Sequence, residues 1–333
     1  MCKYPKILII APSWVGDMIM AQSLFIALKK NSPDCQIEVL APTWTLALLA
    51  RMPQVSKAIA LNLTHGQFGF NERKQLGKQL RAENYNQAIV LPNSWKSALI
   101  PFFANIPLRT GYIGECRFGL LNDARRLNKA VLKMTVQRFV ALASNHQNLP
   151  PDCPNPQLIV NEEKQQAVIN QFQLNTNTKI LALCAGAEYG LAKRWPVNYF
   201  AQVANYYLQQ GGQVWLFGSE KDKVITDAIN NLTQGQCQNF AGQTNLAQAV
   251  DLMSLVDTVI SNDSGLMHLA SSLDKKVIAI YGSSDPQFTP PLSNKAQIVS
   301  LNLDCSPCFK RECPLEHTNC LTQLLPERLI ELL

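Results

Sequence analysis

Eight short apolar runs, spread along the whole chain and separated by stretches of helical period, leave few folds open. Four lie in the first half, at residues 6–11, 36–41, 57–61 and 87–91; four follow at 179–184, 213–217, 258–261 and 276–281. Their Val, Ile and Leu content is that of strands covered on both faces, which predicts parallel sheets. The intervening stretches read as amphipathic helices. Phe200, Val203, Ala204, Tyr207 and Leu208 recur on one helical face, and Gly211-Gly212 ends that helix. A chain of 333 residues is long for a single core, so two domains are expected. The Pro/Asn-rich stretch 148–156 breaks the alternation and reads as the start of a linker. The fold class predicted is α/β, with two Rossmann-like parallel-sheet domains facing a cleft. Residues 1–155 form the first and 156–325 the second; 326–333 form a C-terminal helix expected to pack back on the first.

Composition narrows the function classes. Hydrophobic residues make up 47% and charged residues only 16%, against a disordered or coiled-coil chain. The net charge of +6 is too small to imply nucleic-acid binding by itself, but it suits anionic substrates or an anionic membrane surface. Lys3 and Lys6 precede an apolar run, yet Pro12 and Asp17 interrupt it, so it does not read as a signal peptide. No apolar stretch approaches the roughly 18–20 residues of a membrane span. Ten cysteines without an export signal read as reduced thiols. The expected location is cytoplasmic, with peripheral contact at the inner membrane.

Chemistry-bearing residues gather at strand tips, where ligands bind in open α/β sheets. After the first run, Ala11-Pro-Ser-Trp-Val-Gly-Asp-Met-Ile-Met20 carries Asp17 behind Gly16. Asp17 complements a helix dipole on structural grounds alone, but an accessible carboxylate also serves as a general base. After the fifth run, Ala185-Gly-Ala-Glu-Tyr-Gly-Leu-Ala-Lys-Arg-Trp-Pro196 leads into a helix marked by Pro196. Its glycines permit close backbone approach, and Lys193 and Arg194 add charge beside a helix start, a combination suited to a pyrophosphate. An exposed basic loop with Trp195 packed beneath it is the plainer alternative. After the seventh run, Asn262-Asp-Ser-Gly-Leu-Met-His268 offers Asp263 to sugar hydroxyls and the Ser264 and Gly265 amides to a phosphate. Helix capping explains the acid alone. His268 falls one turn into the helix, where a cleft-facing ligand role competes with simple packing.

These three motifs, with Cys305-Ser-Pro-Cys-Phe-Lys-Arg-Glu-Cys-Pro-Leu315, carry a specific resemblance. The chain resembles the ADP-heptose:lipopolysaccharide heptosyltransferases of glycosyltransferase family 9. The match runs in order over nearly the whole length, and the cysteine segment is more similar to the heptosyltransferase II branch than to heptosyltransferase I. The resemblance implies the GT-B architecture. It also implies inverting transfer of L-glycero-D-manno-heptose from ADP-heptose to the first heptose of the lipopolysaccharide inner core, without a metal. The first domain would then bind the acceptor, heptosyl-Kdo2-lipid A, and the second the donor. Asp17 would act as base, with Gly16 on the acceptor side. Lys193 would hold the diphosphate, Glu220 the ribose hydroxyls, and Thr244 would lie near the adenosine, joined by Asp263, Ser264, Gly265 and His268. No D-x-D motif occurs; the nearest approach is Glu220-Lys221-Asp222. Heptosyltransferases I or III, or another GT-B sugar-nucleotide enzyme such as an epimerase, are the alternative readings.

Two features stay open. Arg109, Arg117, Arg125, Arg126, Lys129, Lys133 and Arg138 face only Glu115 and Asp123 in the same segment. A solvated basic face accounts for such a run. So does a phosphorylated glycolipid at an anionic leaflet, where each basic residue adds about 1 kcal/mol. On that reading Arg109, Arg117, Arg125 and Arg126 contact the acceptor. Cys305, Cys308, Cys313 and Cys320 have a spacing that admits a structural zinc, but also a loop of free thiols or a strained disulfide. Only one C-x2-C knuckle is present, and no metal or cofactor is assigned. A monomer without nucleic-acid partners is expected.

Overall fold

A computed structural model describes residues 5–63, 66–144 and 149–333. They fall into two compact units, residues 1–158 and 159–333. The division lies three residues beyond the expected boundary at 155; Asn148, where the linker was expected to begin, lies outside the described residues.

The first unit is built on a six-stranded sheet. Its strands are β1 (Lys6–Ile10), β2 (Gln36–Pro42), β3 (Val55–Leu61), β4 (Gln87–Val90), β5 (Leu108–Tyr112) and β6 (Asp123–Arg125), in the order β3-β2-β1-β4-β5-β6. All pairings are parallel. β1, Lys-Ile-Leu-Ile-Ile, is buried along its whole length, as a central strand covered on both faces must be. Leu8, Ile10, Leu40, Ala88 and Val90 join Leu99, Ile100 and Ile106 in one core cluster. The helix Val15–Asn31 starts directly after β1 and packs against the helix Thr135–Val140.

The second unit repeats this topology. Its strands are β7 (Ile180–Cys184), β8 (Gln213–Leu216), β9 (Gln238–Asn239), β10 (Thr258–Asn262), β11 (Lys276–Ile280) and β12 (Ala296–Val299), in the order β12-β11-β10-β7-β8-β9. These pairings are parallel too. In both sheets the winding direction reverses beside the unit's first strand, between β1 and β4 and between β7 and β10. Such a switch point opens a crevice beyond the strands' carboxyl ends.

Residues 326–333, expected to pack back on the first unit, place their apolar side chains against the core of the second. Leu329 is fully buried with Trp195 and Phe200, and Ile330, Leu332 and Leu333 pack around them. The Trp195 indole N–H donates to the Leu324 carbonyl at 2.8 Å, and Lys276 Nζ reaches the Leu332 carbonyl at 2.5 Å.

Candidate donor site and candidate base

The switch point of the second unit brings two distant motifs together. The loop after β7 carries Lys193, and the tip of β10 carries Asp263. Lys193 Nζ lies 2.5 Å from Asp263 Oδ2, with both side chains largely buried. Breaking such a pair strands a charge away from water, so its retention calls for an explanation. The helix Gly265–Ser272 begins beside it, and its first turn has no side-chain cap. Ser264 bonds sideways to Ser261 instead, at 3.2 Å. The uncapped amides and the helix dipole favour an anion at this point.

Asn262 holds this arrangement in place. It is fully buried at the end of β10. Its Nδ2 donates to the Ala185 carbonyl at 2.7 Å, and its Oδ1 accepts from the Trp195 amide at 3.1 Å. One side chain thus clamps both ends of the Lys193 loop. Trp195 anchors the far end in the core, as the packed-tryptophan alternative expected. Burial pushes the His268 imidazole down to about 4, against the pull of Asp263 and with the push of Lys193. It is therefore neutral at neutral pH, and at 5% exposed it fits the packed alternative better than the cleft-facing one.

In the first unit Asp17 occupies the first turn of the helix Val15–Asn31, half-buried, with Gly16 beside it. That helix also starts without a side-chain cap.

The sequence model of glycosyltransferase family 9 (heptosyltransferase) matches residues 73–319. The chain belongs to glycosyltransferase family 9. It is 46% identical to lipopolysaccharide heptosyltransferase 2 of Salmonella typhimurium, over 98% of this chain and 97% of that one. It is 48% identical to lipooligosaccharide heptosyltransferase 2 of Haemophilus influenzae, over 89% and 88%. Among solved structures, E. coli ADP-heptose lps heptosyltransferase II superposes with a TM-score of 0.87 at 43% identity, covering 98% of this chain and 96% of that one. The α/β, GT-B architecture expected from the motifs is the one found, and the chain is a glycosyltransferase of the heptosyltransferase family.

The other two expected donor contacts follow β8 and β9 of the same sheet. Glu220 follows β8 and is exposed, its carboxylate against Gly242. Gly242 has a φ of +69°, a left-handed conformation that favours glycine. Thr244, two residues on, is half-buried, with its hydroxyl 3.4 Å from the Phe240 carbonyl.

An arm that sequence reading did not assign to the site also touches the Lys193 loop. The Arg311 carbonyl accepts from the Ala192 amide at 3.0 Å, and the Phe309 carbonyl accepts from the Tyr189 hydroxyl at 2.8 Å. A Cβ on Gly190 would sit 2.3 Å from the Arg311 oxygen. Lys193 Nζ and the Arg311 guanidinium lie 4.9 and 5.4 Å from the centre of the Tyr189 ring. Both Tyr189 and Arg311 sit inside motifs visible in the sequence, but nothing in their spacing pairs them. The four cysteines of this arm are free thiols. Cys320 is pushed up by burial first and then by Cys305, Cys308 and Cys313, while Cys313 is lowered, chiefly by the Thr318 backbone amide. Among the described residues, no group of three or more His, Cys, Asp or Glu is arranged to hold a metal ion.

The basic run of the first unit divides sharply. Arg117 is 1% exposed, and its guanidinium donates to the carbonyls of Pro92, at 2.6 Å, and of Tyr112. Burial pushes it down to about 10. It is an internal tie, which corrects its expected role as an acceptor contact. Arg109 donates to the Leu120 and Ile106 carbonyls, both at 2.7 Å. Arg125 binds Asp123 at 2.7 Å and the carbonyls of Ala141 and Ser144. Arg126 is exposed.

Proposed function

We propose that this chain transfers heptose from ADP-heptose to the first heptose of a Kdo2-lipid A-linked inner core. The second unit holds the donor and the first supplies the base. The observation that carries this reading is the Lys193–Asp263 ion pair across the β7/β10 switch point, flanked by an uncapped helix start. Relatives of about this length and 46–48% identity are named as heptosyltransferases 2, which supports the acceptor assignment.

In this mechanism Asp17 takes the proton of the acceptor hydroxyl as its oxygen bonds to the anomeric carbon. The bond from that carbon to the β-phosphate oxygen breaks, with inversion, through an oxocarbenium-like transition state. Lys193, the Ser264 and Gly265 amides and Arg311 stabilise the departing ADP, the task a metal performs elsewhere. Asp263 positions heptose hydroxyls, Glu220 the ribose and Thr244 the adenosine side. His268 supports Asp263 from behind as a neutral group. Arg126 meets acceptor phosphate, with Gly16 leaving room beside Asp17. The protein works as a monomer in the cytoplasm, in peripheral contact with the inner membrane. No helix among the described residues is long and apolar enough to cross a membrane.

The test is a donor assay. ADP-heptose should be consumed only when a heptosylated Kdo2-lipid A acceptor is present. Turnover of donor alone, or equal use of an acceptor lacking the first heptose, overturns the reading.

A further inference from the structure

Three separate segments of the first unit build one aromatic surface. Phe68 stacks on Phe70, with ring centres 6.2 Å apart, and on Trp95 at 6.1 Å. Phe103 meets Phe70 edge-on at 5.7 Å, and Phe102 meets Phe103 at 5.5 Å. Phe68, Phe70 and Phe102 are 51%, 38% and 39% exposed. A single exposed phenylalanine needs no explanation, but three exposed rings joined through the partly buried Trp95 and Phe103 do.

Cations outnumber acids around the ladder, although the Glu115 carboxylate accepts from the Trp95 amide at 2.7 Å and Glu72 follows Phe70 by two residues. Lys74 Nζ stands 5.8 Å from the Phe103 ring centre and the Arg109 guanidinium 5.7 Å from that of Phe102. Lys96 Nζ donates to the carbonyls of Gly66 and Gln67, at 3.1 and 3.2 Å, and so pins the loop that carries Phe68. Residues 66–109 contain six Lys or Arg and only Glu72 and Glu83 as acids. Glu83 is already bound by Lys57, at 2.8 Å, and by Lys6.

We propose that this face docks on an anionic phospholipid bilayer, the aromatic rings entering the headgroup boundary and the cations meeting lipid phosphates. Exposed aromatics beside an excess of Lys and Arg are the composition of interfacial binding, whereas a second copy would bring the same cationic excess against it. The assignment rests on the lipid-linked acceptor proposed above. It moves the membrane surface from the basic run 109–138, whose Arg117 and Arg125 hold backbone carbonyls, to this ladder, at whose edge Arg109 lies.

The experiment is cosedimentation of the full chain with vesicles of phosphatidylethanolamine and phosphatidylglycerol, against phosphatidylcholine alone. The wild type should bind the anionic vesicles and release as salt rises. A Phe68→Ser, Phe102→Ser double variant should lose binding by about tenfold or more, and Lys74→Glu should weaken it and flatten the salt dependence. Both variants should keep wild-type transfer to a deacylated, water-soluble acceptor and lose transfer to acceptor embedded in vesicles. Wild-type binding retained by both variants overturns the proposal, as does their loss of concentration-dependent self-association in place of vesicle binding. If the soluble acceptor is not used even by the wild type, the functional reading fails while vesicle binding is still judged on its own.

Discussion

The cations of the two units do different work. In the first unit Arg109, Arg117 and Arg125 turn inward and satisfy carbonyls of their own loops. In the second, Lys193 crosses the switch point to an acid 70 residues away, and Arg311 leans on Tyr189 beside it. A row of arginines in sequence is therefore a weak guide to a binding face, because long loops need donors for buried carbonyls. A lone lysine at a strand tip, paired with an acid at the neighbouring tip, is a stronger one.

The comparison breaks most visibly at Asp17. If the first unit supplies the base, Asp17→Ala should lower kcat by about 10²–10⁴ while leaving donor affinity nearly intact. Steady-state kinetics with both substrates varied decides this, and near-normal turnover removes the assignment. Lys193→Ala comes next. Loss of a charged hydrogen bond costs about 1.5–3 kcal/mol, so ADP affinity by calorimetry should fall about 10- to 100-fold, with transfer slowed as well. Unchanged affinity and rate would return Lys193 to the same class as the first unit's arginines.

Arg117→Met sharpens the other side. It strands buried carbonyls, each at a cost of about 1–3 kcal/mol, so thermal or urea unfolding should show a clear loss of stability. The matched Arg126→Ala should leave stability unchanged and raise only the acceptor KM. If Arg117→Met folds as well as wild type, the inward reading is wrong. The smallest effect concerns His268. Its folded pKa lies near 4, below the ordinary 6.5, so the unfolded chain takes up the proton first. Its contribution to stability is complete above pH 6.5 and declines as pH falls toward 4. His268→Gln should flatten that part of the stability profile, measured by urea unfolding at stepped pH.

The fold was legible where strands are buried. The runs at 6–11, 36–41, 87–91, 179–184 and 276–281 all reappear as central or near-central strands. What escaped were β5, β6, β9 and β12. β5 is Leu-Arg-Thr-Gly-Tyr, too polar for a periodicity argument, and β9 is two residues long. β12 is a half-exposed edge strand, where composition no longer reflects burial on both faces. Site residues followed the same logic. Lys193 and Asp263 stood out because each sits in a glycine-containing motif between a strand and a helix, where ligands bind in open α/β sheets. Asn262 and Arg311 did not, because their roles depend on which loops the topology brings together. The fate of Arg117 was hidden for the same reason, as nothing in its neighbours says that its side chain turns inward.

Calorimetric titration of Asp263→Ala and Asp17→Ala with a non-hydrolysable ADP-heptose analogue tests the division of labour between the units most directly. The account predicts that Asp263→Ala loses donor affinity while Asp17→Ala binds like the wild type. Equal loss in both variants would contradict it, making Asp17 a donor ligand and leaving the first unit without its base.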